Sequence, residues 1–349
     1  MIKLLTKISK IIFINFFIIL IFIFSIEIIF GYWFDKDNFG PIMREHRMKN
    51  QRIEWNNGEE KKIYFYRRNY HGFRGEDIEP ADIQAVIFGG SVIDERYKPD
   101  DYTITGFLNK KLKENKITLK ITNGAVEARS TGGLIYAFEN WLFKIKDFSP
   151  KYLLFYVGVN DTLDLIKEAG HDGHTLNPEK KEIFFDTIKS RSILYDSIRI
   201  FKFKYLPRKG FVKYDGKKSK KYQKEFSFIS YEFAKNNYNL EELEKKYNTK
   251  IKNYMLRIEK LSKLSKKINS IPIFITNLGA SGHTELLFTL NENLIKYCEI
   301  KKLICINLAK KVDGKVGYWY DNAHTTKQGS QYISELIFES LGPIIKEKN

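Results

Sequence analysis

The chain has 349 residues, enough for one large core or two modest ones, and 43% of them are hydrophobic and 15% aromatic. That composition excludes an intrinsically disordered chain. The formal net charge is +17, which points to an anionic partner, and the apolar N-terminal stretch makes nucleic acid a poor candidate for it.

Residues 1–10 are a short basic tail with Lys3, Lys7 and Lys10. From Ile11 to Phe34 the chain is almost continuously apolar, interrupted by Asn15, Ser25, Glu27 and Gly31. As a helix this stretch can cross a hydrocarbon core of about 30 Å. It is long for a signal-peptide core, and no small-residue cleavage site follows it. Tyr32, Trp33 and Phe34 suit a membrane interface, so an uncleaved anchor is expected over 11–34. Lys36, Arg44, Arg47 and Lys49 nearly balance the N-terminal lysines, so the expected periplasmic or extracytoplasmic placement of the rest is a lean. Cys298 and Cys305 read as buried thiols rather than a bridge, and their spacing with histidine matches no metal site.

Residues 35–80 show no period and are expected to link membrane and domain as a juxtamembrane segment. From 81 to 349 strands alternate with helices. Gln84–Phe88, Ile117–Thr122, Tyr152–Val157, Ile271–Thr276 and Leu303–Asn307 read as strands. Asp101–Glu114, Gly133–Lys146, Lys250–Ile268, a stretch from Thr284, and Thr326–Leu341 read as helices. The pattern predicts an α/β fold of three layers, α/β/α, around a parallel sheet of about five strands. It breaks over about 163–248, an insertion expected to cap one end of the sheet. Eleven basic residues from Arg199 to Lys224 there face one acid, Asp215. They read as a solvated loop or as a further contact with anionic lipid or glycan.

Ligands bind past the carboxyl ends of parallel strands. Ser91, Asn123 and Asn160 all follow strand ends, which places three distant segments on one rim. Ser91, in Gly89-Gly90-Ser91, is a candidate nucleophile. Alone it reads better as the N-cap of an ordinary strand-to-helix turn. His324 is the candidate base, and Asp321 three residues earlier can fix its tautomer. The Asn160 amide and the N–H groups of Ser91 and Ala128 are candidate oxyanion donors. Gly90, Asn123, Asp161 and His283 are candidate substrate contacts. His171 and His174 have i, i+3 spacing but read as a polar loop rather than a metal site.

Taken in order, the four blocks resemble the SGNH hydrolases, or GDSL-type esterases, named for a Ser, a Gly, an Asn and a His. Gly158-Val159-Asn160-Asp161 matches the third block, and Asp321, His324 and Gly329 the fourth. Gly90 stands where many members carry Asp, and Ala125 and Ala128 stand where glycines are usual. The resemblance covers 81–162 and 270–340. It implies a flavodoxin-like SGNH fold and an esterase or acyltransferase working through an acyl-serine, with no metal or cofactor. With the anchor, it implies action on O-acyl groups, chiefly O-acetyl, of a cell-surface polysaccharide. An O-acetyltransferase, a lipid esterase or lysophospholipase, and a non-catalytic glycan-binding protein with a decayed site stay open as alternatives. The oligomeric state is not legible.

Overall fold

The computed structural model describes residues 2–34, 51–56, 60–127, 129–162, 184–185, 188, 191–195, 197–198, 201, 227–315 and 317–348. Helix α1 (Ile2–Phe30) comes first, and its stretch Ile8–Phe30 is long and apolar enough to cross a membrane. The side chains of Ile8–Phe30 lie outside any protein core. The helix stops at Phe30, so the aromatic residues of the expected anchor lie in a bend. There the Trp33 indole turns back and donates to Glu27 at 3.0 Å.

The domain is built on β3 (Ala85–Phe88), β4 (Ile121–Asn123), β5 (Tyr152–Val157), β6 (Ile271–Thr276) and β7 (Ile304–Ile306). They form one five-stranded sheet, wholly parallel, in the order β4-β3-β5-β6-β7. Successive side chains on a strand point to opposite faces, and here both faces are covered. Ala85, Ile87, Leu154, Tyr156, Ile273 and Ile275 pack against α3 (Ile104–Glu114) and α11 (Lys327–Lys348). Val86, Phe88, Leu153, Phe155 and Phe274 pack against α4 (Thr131–Asn140), α8 (Asn248–Lys267) and α9 (Glu285–Lys301). The result is the α/β/α sandwich expected from the apolar runs. By chain position the strand order is 2-1-3-4-5, so the order reverses between β3 and β5. A binding crevice belongs at that reversal.

The segment before the sheet departs from the expected linker. β1 (Gln51–Asn56) and β2 (Lys61–Tyr66) form an antiparallel hairpin. Ile53, Trp55, Tyr64 and Tyr66 make a small core with Tyr97 and Tyr102 of the loop after Ser91. Half-buried hairpins owe their stability to what they pack on, and Trp55, Tyr64 and Tyr66 mark that face.

The cysteines also depart from expectation, because Cys298 and Cys305 form a disulfide with their Cα atoms 6.2 Å apart. Lys302 takes a left-handed conformation (φ 53°) at the end of α9. The chain therefore returns directly into β7, and the two positions come to face each other within bridging reach.

The insertion is described only in part. α6 (Tyr231–Asn237) and α7 (Leu240–Lys246) lead into α8. His171, His174 and the basic run from Arg199 to Lys224 fall outside the described residues.

Candidate active site

The sheet delivers the first block directly. β3 ends at Phe88, and after Gly89-Gly90 the short helix α2 (Ser91–Asp94) begins with Ser91 at its first position. An amide there has no acceptor within the helix, so the Ser91 N–H is a donor facing the rim. The fourth block lies just before α11. Asp321 Oδ1 accepts from the backbone N–H groups of Ala323 (2.9 Å) and His324 (2.7 Å), a tight turn that fixes the carboxylate. Its Oδ2 is 2.7 Å from His324 Nδ1, and His324 Nε2 is 2.7 Å from Ser91 Oγ. The Tyr320 ring stacks on the imidazole at 5.5 Å.

Residues 233 positions apart in the chain therefore form one hydrogen-bonded line. A carboxylate at Nδ1 selects the tautomer that keeps the proton there and leaves the Nε2 lone pair for the serine hydroxyl. Burial opposes ionisation of Asp321, but the His324 ring and the two backbone N–H groups outweigh it. They hold the carboxyl below its ordinary value. The carboxylate thus stays ionised to lower pH than an ordinary aspartate.

Asn160 comes from the other side of the sheet reversal. Gly158, at φ 130°, turns the chain sharply out of β5 into α5 (Val159–Thr162). A side chain at 158 would press on Asn277 Oδ1, which itself receives the Val159 N–H at 2.8 Å. The Asn160 amide donates one hydrogen to the Arg129 carbonyl at 2.7 Å, which orients the amide beside Gly90 and leaves its second hydrogen. Any Cβ at position 90 would run into that amide. The departure from Gly-Asp-Ser thus has a local reason, because Gly90 makes room for Asn160 against the nucleophile's turn. A small cleft lined by Gly90, Arg129, Ser130, Asn160 and Asn277 runs alongside. Ala128, the third proposed oxyanion donor, lies outside the described residues.

Three expected substrate contacts are placed elsewhere. Asn123 is buried, and its amide donates to the Ile93 carbonyl (2.7 Å) and to Thr105 Oγ1 (3.1 Å). Its side-chain oxygen accepts from Ala125 N at 3.0 Å, so it holds the second block to the first. Asp161 points inward and accepts from the N–H and hydroxyl of Thr131, at 3.1 and 2.6 Å, at the start of α4. Burial raises its pKa against those bonds. A carboxylate at a helix N-terminus is favourable there and is spent on architecture. His283 is 1% exposed and packed between Tyr231 and Phe288. Its Nε2–H donates to the Ala309 carbonyl at 3.1 Å. Its turn nevertheless supports the site, since Ala280 N donates to the Asn322 carbonyl at 2.9 Å.

The pattern reading missed two buried polar networks that flank α2. On one side Asp94 accepts from Tyr66 (2.8 Å) and Arg68 (2.7 Å), and Arg68 also donates to the Ala125 carbonyl at 2.7 Å. Arg74 bonds the carbonyls of Asp94 and Lys98 and the Asp100 carboxylate. On the other side Glu95, at φ 44°, turns its carboxylate inward to Lys98, the Ile104 N–H, Thr325 and Ser330. Lys98 is also buried and reaches the Thr325 carbonyl at 2.7 Å, one residue past His324. Burial pushes the Lys98 ammonium below its ordinary value despite Glu95 beside it.

No family model and no curated protein matches this sequence. Among solved structures the chain is similar to the esterase EstA from Pseudoalteromonas sp., at 11% identity and a TM-score of 0.44, covering 76% of this chain and 100% of that one. A mutant of Axe2, an acetyl-xylooligosaccharide esterase from Geobacillus, matches at 10% identity and a TM-score of 0.41, covering 75% and 94%. A GDSL-like lipase from Bacteroides thetaiotaomicron matches at 12% and 0.38, covering 78% and 92%. Judged by its own sheet order, by the Ser91, Asn123 and Asn160 segments past the strand ends and by the line from Asp321 through His324 to Ser91, this chain has the fold of an SGNH, or GDSL-type, hydrolase.

Proposed function

We propose that the protein is a membrane-anchored serine esterase that removes O-acyl groups, chiefly O-acetyl, from a cell-surface polysaccharide. The observation that carries this reading is the unbroken hydrogen-bonded line Asp321–His324–Ser91. In the first step His324 Nε2 takes the Ser91 proton as Oγ attacks the ester carbonyl. The carbonyl oxygen becomes an oxyanion, and among the described residues the Ser91 N–H and the second hydrogen of the Asn160 amide are the donors for it. Collapse breaks the ester C–O bond, and His324 returns the proton to the departing sugar hydroxyl. Water then attacks the acyl-serine with His324 again as base, releasing the carboxylic acid and restoring Ser91.

The placement outside the cytoplasm draws support from the Cys298–Cys305 disulfide, because such bonds persist in oxidising compartments. The α1 helix supplies the tether. The decayed-site alternative loses ground because a binding relic has no need of a serine, a histidine and a carboxylate in line. Labelling with a fluorophosphonate probe tests the chemistry, with Ser91 modified in the native chain and unmodified in His324→Ala. Incubation with O-acetylated polysaccharide tests the substrate through release of acetate. A chain that takes the probe but releases nothing from acetylated glycans keeps the serine esterase and loses the polysaccharide.

A further inference from the structure

A second part of the chain lies against α1, and its position has a consequence for the bilayer. The Arg191 guanidinium donates to the Trp33 carbonyl at 2.7 Å, and the Arg191 carbonyl accepts from the Tyr32 N–H at 2.8 Å. One turn inside the helix end, Glu27 accepts from the Leu194 N–H at 3.2 Å and from the Trp33 indole. Beyond these bonds an apolar groove separates the two elements. Leu20, Ile21 and Phe24 form one wall, and Ile188, Ser192 and Leu194 the other.

The depth of that groove decides its surroundings. Leu20 is ten residues before the helix end at Phe30, so it sits about 15 Å along the axis. If α1 spans a core of about 30 Å, a partner that shares a groove with Leu20, Ile21 and Phe24 faces hydrocarbon depth. Tyr32, Trp33 and Arg191 then lie at the interface, where aromatic rings and snorkelling arginines are favoured. The outer surface of the same stretch agrees independently. Phe184, Ile198 and Phe201 are 61%, 69% and 60% exposed, values unsuited to water but suited to lipid tails.

We propose that the described residues of 184–201 are a second membrane-embedded element, docked on α1 through Glu27 and Arg191, whose outer face takes the acyl chains of the bilayer. This rests on the anchor reading of α1. It gives the chain a second attachment to the membrane beside the tether. Backbone groups at that depth must be satisfied within the protein, and the bond from Leu194 N to Glu27 does this for one of them.

The test uses the full chain in phosphatidylcholine vesicles, with an environment-sensitive fluorophore on a single new cysteine and brominated phosphatidylcholine as quencher. The native cysteines are bridged and do not react. Labels at Ile18→Cys, Ile198→Cys and Phe201→Cys are expected to be quenched by the brominated lipid and shielded from aqueous iodide. A label at Glu114→Cys, on the exposed end of α3, is expected to behave oppositely. Quenching at 18 with iodide access at 198 and 201 overturns the second element and leaves the anchor standing. Iodide access at all of these sites overturns both.

Discussion

The sheet and the turn around Ser91 are held together by opposite means. Between β3 and β7 the strands are apolar on both faces, and their positions follow from burying alternate side chains against two helix layers. Around α2 the contacts are polar and charged. Asp94 is tied to Arg68 and the second block, and Glu95 to Lys98 and the fourth. Apolar packing brings the blocks to one rim, but it is non-directional. Hydrogen-bonded ion pairs set orientation, which a 2.7 Å contact between a histidine and a serine requires.

Breaking the chemistry itself has the largest expected effect. Ser91→Ala or His324→Ala should lower kcat on an acetyl ester by roughly 10⁴- to 10⁶-fold, and the double variant should be little worse than either single one. Thermal unfolding of the detergent-solubilised chain should be nearly unchanged. Losses that multiply in the double variant would show that the two residues do not act as a unit.

The polar belt should fail in the opposite way. Lys98→Met leaves the Glu95 carboxylate buried without its ammonium, a change expected to remove about 3–5 kcal/mol of stability. Lys98→Met with Glu95→Gln removes both charges and should recover much of that loss. A kcat reduced in the doubly substituted protein, with KM unchanged, would assign the pair to the alignment of Ser91 with His324. Recovery of both stability and kcat would restrict it to holding the fold.

Asn160→Ala tests the rim between these extremes. Loss of one oxyanion donor should reduce kcat about 10²- to 10³-fold with little change in KM. It also removes the bond to the Arg129 carbonyl and opens space beside Gly90, so a small loss of stability should accompany it. A KM effect alone would argue for ground-state binding.

The same contrast decides what could be read from the chain. Tyr152–Val157 and Ile271–Thr276 are continuous apolar runs, and the structure places those two strands where the pattern puts them. The triad residues carry a signal in spacing and order, although only the fold shows them touching. Arg68, Arg74 and Lys98 carry none, because a buried cation and a surface cation are the same letter. The Arg68–Asp94 pair joins positions 26 apart across a stretch without period. Asn123 and Asp161 sit in the predicted blocks yet face inward, since spacing along a turn does not give the direction of a side chain. The hairpin at 51–66 was hidden for a related reason: the partners of its buried residues lie in another loop.

His283 gives the smallest and most selective test, because it probes the support under the fourth block without touching the chemistry. Burial lowers its pKa to about 4, against 6.5 for an ordinary histidine, with the bond to Ala309 opposing the shift. Between those values the unfolded chain binds a proton that the native chain refuses. Stability should therefore fall as pH drops from about 6.5 to about 4, by up to about 3 kcal/mol, and this group should contribute no further loss below that. His283→Gln can keep a donor for the Ala309 carbonyl while removing the titration. Urea unfolding of the detergent-solubilised chain, followed by tryptophan fluorescence at pH 7 and pH 4.5, should show a shallower pH dependence in the variant. Equal slopes in the two proteins would mean that His283 is protonated in the native state, and that its turn opens to water as the pH falls.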